Sequence, residues 1–166
     1  MSESTDPQSV KAVTIKNYRP APQISEETTA FAATIYLDGK RAGTAMNEGQ
    51  GGPNRYDFAD RDQFNAFLAY AKAWGETNDE RSEPEDALIG QLCEDYELAK
   101  QARRLIRRGA TTVVFIEKTP GWFTDDQSRK PDYYQDSYLI GLRPGEDPET
   151  VAKAENADTW RVISTD

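Results

Sequence analysis

Histidine does not occur in this 166-residue sequence, and cysteine occurs once, at Cys93. Without imidazole there is no Ser-His-Asp or Cys-His catalytic pair and no zinc site built on histidine. One thiol supplies neither a disulfide within the chain nor a thiolate metal site, and it agrees with a reducing compartment. Any chemistry would have to use carboxylates, Lys, Tyr, Ser or Thr, or oxygen-ligated Mg or Ca. No run of about 18 apolar residues occurs, and the start "MSESTDPQSV" has neither a basic nor an apolar stretch. The expectation is therefore a soluble, cytoplasmic protein with no membrane partner and no cofactor.

Positive charge is also scarce: 20 Lys and Arg stand against 29 Asp and Glu, a formal net charge of −9. Residues 76–97, "ETNDERSEPEDALIGQLCEDYE", account for most of it, with nine acids against one arginine. Such a surface repels a phosphate backbone, so no direct nucleic-acid contact is expected. Its complement is a protein with a basic surface.

What is present suffices for a folded domain. Hydrophobic residues make up 37% of the chain, including three Trp, eight Tyr and six Phe, and the length fits one domain. The residue order implies α+β architecture: a disordered tail over residues 1–9, then a single domain over 10–166. Its antiparallel sheet would have about five strands, with two main helices, at about 61–74 and 83–108, on one face. "VKAVTIKNY" alternates as a first strand. In "TTAFAATIYLDGKRAGTAM" an Asp38-Gly39 turn predicts a hairpin pairing Ile35 with Ala42, Phe31 with Met46 and Tyr36 with Arg41.

The helices follow from 3.6-residue periodicity. Phe64, Phe67, Leu68, Ala71 and Trp74 form one stripe, with Asp60 or Asp62 as cap and Gly75 as stop. The second helix is predicted from "SEPEDA", with Ser82 as N-cap, and its stripe runs through Leu88, Leu92, Tyr96, Ala99 and Ile106. "TTVVFIEK" and "DSYLIGLR" read as buried antiparallel neighbours, "DPETVAKAENA" as a short helix capped by Asp147, and "TWRVIST" as a closing strand.

Five features invite a functional reading. In "NEGQGGPNRY", successive backbone amides could face one anion, with Asn47, Gly49, Gly51, Gly52, Asn54 and Arg55 as a phosphate or nucleotide site. The pattern lacks the Lys and Ser/Thr of a Walker loop and follows a hairpin strand. A turn that needs positive φ at Gly49, Gly51 and Gly52 is the leading alternative. The acids Glu76, Asp79, Glu80 and Glu83 are either a solvated connection or a binding surface. Trp122, Phe123, Tyr133 and Tyr134 lie in a long connection and either form contact surface or pack over the sheet edge. Asp57, Asp60 and Asp62 match no Ca loop, and the adjacent Asp125 and Asp126 are poorly spaced for acid-base work. No catalytic and no metal-ligating residue is assigned.

The stretch "FAATIYLDGKRAGTAMNEGQGG", residues 31–52, resembles a strand-turn-strand and glycine segment of small uncharacterised proteins of bacteria and their phages. That resemblance implies a prokaryotic or phage setting and no activity. The expected function is that of a non-enzymatic acidic protein that binds or inhibits a host protein, in host takeover or anti-defence. The alternative is a small-ligand protein or enzyme using the glycine-rich loop 47–55.

Overall fold

A computed structural model describes residues 9–118 and 136–165. The fold is α+β, with three α-helices and two antiparallel sheets among the described residues. The expectation of one sheet of about five strands is corrected: one sheet has four strands and the other three. Contacts divide the chain into two compact units, one through Tyr96 and one from Glu97 onward, a boundary that falls inside the second helix.

The first unit is a meander of β1 (Val13–Pro20), β2 (Phe31–Leu37), β3 (Lys40–Asn47) and β4 (Arg55–Phe58), hydrogen-bonded in that order. The β2–β3 hairpin turns at Asp38 and Gly39, both at positive φ (46° and 79°), as a two-residue turn of the favoured hand requires. Tyr36 pairs with Arg41 as expected, but a bulge follows, so Ile35 pairs with Gly43 and Phe31 with Asn47. Ala42 is buried as the simple register expects, but beyond the bulge the faces exchange: Ala45 is buried and Met46 exposed, contrary to that register. Strand β4 was not foreseen, because four residues are too short to show a period.

Helix α1 (Arg61–Asn78) is capped by the Asp60 carboxylate, which accepts from the Asp62 amide at 2.8 Å. Its stripe is as the sequence predicts: Phe67 and Ala71 are fully buried, and Phe64, Leu68 and Trp74 pack beside them on the sheet residues Val13, Ile15, Ala33, Ile35 and Leu37. Gly75 is not the stop; it lies inside the helix, which ends at Asp79. A β-carbon on Gly75 would meet the Glu80 carbonyl and lie 2.7 Å from Pro84 Cβ, so this glycine is there for close approach. Helix α2 (Pro84–Arg107) begins after Glu83, whose carbonyl accepts from Asp86 and Ala87, so Ser82 is not its cap. Up to Tyr96, α2 adds Leu88, Ile89 and Cys93 to the first core.

The second unit contains the rest of α2, then β5 (Thr112–Lys118), β6 (Asp136–Leu142), α3 (Pro148–Ala154) and β7 (Thr159–Val162), with β5 central between β6 and β7. Val113 and Phe115 on one face of β5 join Leu98, Ala102 and Leu105 of α2, while Val114 and Ile116 on the other join Val151 of α3. The buried stripe of this half of α2 thus runs through Leu98, Ala102 and Leu105; Ile106, expected in it, is exposed. The expected single face concerned the two main helices; in this sheet the short helix α3 covers the face opposite α2. The expected tail lies outside the described residues, Ser9 excepted.

Candidate functional site

The glycine-rich connection between β3 and β4 is a closed hydrogen-bond network. Asn47 Oδ1 accepts from Thr28 Oγ1 and from the Gly49 amide, each at 2.8 Å, and Asn47 Nδ2 donates to the Gly52 carbonyl at 3.0 Å and Asn54 Oδ1 at 3.1 Å. The Gly51 amide donates to Thr28 Oγ1 at 3.3 Å. The Gly49 carbonyl accepts from the amides of Glu26, Glu27 and Thr28 at 2.9 to 3.4 Å. The loop thereby fastens residues 25–30 to the end of the hairpin.

Gly49 and Gly51 have φ of 84° and 81°, as expected of a turn, but Gly52 has no positive φ and open space around its α-carbon. A side chain at Gly49 would meet the Ile24 carbonyl at 2.7 Å as well as adopt a strained backbone. Arg55 projects outward to Glu48 at 2.8 Å, both side chains well exposed. Asn47, Gly49, Gly51, Gly52 and Asn54 are therefore brought together, with Arg55 directed to an acid.

Two residues that sequence reasoning passed over complete this network. Asp86, in the first turn of α2, accepts from Tyr56 Oη at 2.6 Å and from the Asn54 amide at 2.9 Å, while Asn54 Nδ2 donates to Tyr56 Oη at 3.3 Å. Burial, and then the hydrogen bond to Asp86, push the Tyr56 hydroxyl well above the ordinary tyrosine range. Burial likewise pushes the Cys93 thiol up to about 12, which leaves it without thiolate character at neutral pH. A carboxylate thirty residues from its tyrosine carries no local sequence signal.

The second candidate is the turn between α1 and α2. Glu76, Asp79, Glu80 and Glu83 are all exposed. Asp79 and Glu83 have φ of 60° and 49°, both left-handed, and Glu83 immediately precedes Pro84, where the helical regions are disfavoured. The turn is held by the Glu80 amide on the Gly75 carbonyl at 2.8 Å and by the close approach at Gly75. Its own cation, Arg81, reaches Asp79 only at 4.0 Å, with both groups largely in water. Beside the turn lies an open groove of about 490 Å3, lined by Lys72, Glu76, Arg81 and Pro84.

Trp122, Phe123, Tyr133 and Tyr134, and the pair Asp125 and Asp126, lie outside the described residues. Asp60 serves as a helix cap, and among the described residues no group of three or more His, Cys, Asp or Glu could hold a metal ion. Nor is any described helix long and apolar enough to cross a membrane. In comparisons with known proteins, the chain matches no family model, no curated protein and no solved structure.

Proposed function

We propose that this chain is a non-enzymatic acidic interaction protein whose turn at residues 76–83 docks on a basic surface of another protein. The observation that carries this is the turn's conformation. Four exposed carboxylates sit on a backbone with two left-handed non-glycine residues, one of them before a proline. At Asp79 the left-handed conformation is the ordinary C-cap of α1, but at Glu83, before a proline, it costs on the order of 1 kcal/mol or more and persists where surrounding structure holds it, commonly at functional surfaces. A pre-shaped turn also loses less entropy when a partner binds. The aromatic residues Trp122, Phe123, Tyr133 and Tyr134 belong to the same proposal as further contact surface. A phage or mobile-element setting, with a host protein bound or inhibited in the host cytoplasm, is the biological role we assign.

The phosphate or nucleotide reading of loop 47–55 ranks behind it, because the Gly49 and Gly51 amides already have acceptors and Arg55 already has Glu48. The deciding experiment is capture of host proteins on immobilised chain, beside a D79K/E80K variant. A captured protein that elutes with salt and is lost in the variant supports the proposal; identical capture by both chains overturns it.

A further inference from the structure

The C-terminal half of α2 presents a basic counterpart to the acidic turn. Lys100, Arg103, Arg104, Arg107 and Arg108 are all exposed. The nearest acid in the sequence, Glu97, pairs with Lys100 at 3.6 Å. Arg103 and Arg107 donate to backbone carbonyls, of Thr165 at 3.3 Å and of Arg103 at 3.4 Å. Among the described residues no carboxylate is paired with any of the four arginines. The helix dipole favours cations only in the last turn, which covers Arg104 and Arg107 but not Lys100 and Arg103 further up. Ile106, an apolar side chain 36% exposed, sits on the same turn as Arg103 and Arg107.

We infer that this face receives the acidic turn of a second copy, so that the chain self-associates head to tail. This rests on reading the turn as a protein-docking surface. Three arginines within the last five residues of α2, about 6 Å of helix, with Arg108 just past its end, meet four carboxylates within eight residues at the acidic turn. A second copy is favoured over nucleic acid because the net charge of −9 repels a long phosphate polymer, whereas a discrete acidic turn engages the arginines locally. Exposed ion pairs contribute little each, so the association is weak, concentration-dependent and sensitive to salt.

Sedimentation equilibrium up to about 1 mM protein, at about 20 mM and 0.5 M salt, tests this. The mass should exceed the monomer's at low salt and return to it at high salt. R104E/R108E and D79K/E80K should each weaken association at least tenfold, and one chain carrying both pairs should regain it. K40E/R41E changes the net charge as R104E/R108E does, but at the start of β3, and should leave association intact. A monomer under all conditions, or equal loss in K40E/R41E, overturns the inference. So does an oligonucleotide that binds a monomeric chain through Arg104 and Arg108. If the chain is monomeric while capture of a partner still depends on Asp79 and Glu80, the docking proposal stands and self-association fails.

Discussion

The two units bury their sheets differently, and the difference is written in strands β2 and β5. In β2, residues Ala33, Ile35 and Leu37 are buried while Ala32, Thr34 and Tyr36 are not, because the first unit's helices cover one face. In β5, four consecutive residues from Val113 to Ile116 are buried, because α2 lies on one face and α3 on the other. Alternation and a continuous apolar run are the patterns that half-covered and fully covered strands impose. Charge divides too: 17 acids and 9 bases lie in the first unit, 12 and 11 in the second, so the surplus of acid belongs to the first. A central strand covered on both faces reads from its composition; an acidic display needs its turn geometry before it reads as more than a solvated connection.

The largest effects should come from the two cores. Phe67→Ala should cost about 3–5 kcal/mol and Ile116→Ala about 2–5 kcal/mol in denaturant unfolding, both side chains being fully buried. Hydrogen exchange should accelerate mainly before residue 97 in the first variant and mainly after it in the second. Equal acceleration across the chain in either would break the comparison. Next come the close approaches within the first unit: Gly75→Ala and Gly49→Ala should each cost about 1–3 kcal/mol, whereas Gly52→Ala, in open space, should be near neutral. A Gly52 variant as damaging as the Gly49 one would show that the loop is held differently.

Tyr56→Phe should cost about 1–2 kcal/mol by leaving Asp86 with one donor fewer. The folded-state pKa of Tyr56 is raised, so its stabilisation is fully present below pH 10, where the unfolded tyrosine keeps its proton, and diminishes as pH rises above that. Thermal melts should therefore fall more gently above pH 10 in the variant than in the parent. An unchanged alkaline slope would remove Tyr56 from the titrating set. The smallest effect is a gain: Gly90, exposed inside α2 with open space around its α-carbon, should stabilise by about 0.4–1 kcal/mol on replacement by Ala. A loss there would show that α2 is packed more tightly at that point than its exposure implies.

Much of the fold was legible in the residues. The Asp38-Gly39 turn, the Phe67 and Ala71 stripe, the Asp147 cap, a cap narrowed to Asp60 or Asp62 and the buried run of β5 all rest on interactions within a few residues, or on periodicities of two and 3.6. Of the candidate site, the gathering of Asn47, Gly49, Gly51 and Asn54 followed from their being close in sequence. The acidic turn was legible as charge and not as shape.

What the tertiary structure alone decided are the features whose partners lie far along the chain. The bulge that turns Ala45 inward in place of Met46 answers to the core beneath the hairpin, and residue 75 has no room for a side chain because Glu80 and Pro84 return onto it. Asp86 finds Tyr56 across thirty residues, and α2 changes its buried stripe on passing from one core to the other. Local sequence determines which turns and helices are cheap to form, through dihedral preference and the period of apolar residues. It carries no term for which distant surface an apolar face will meet, and that choice is made by packing, where all the partners are present at once.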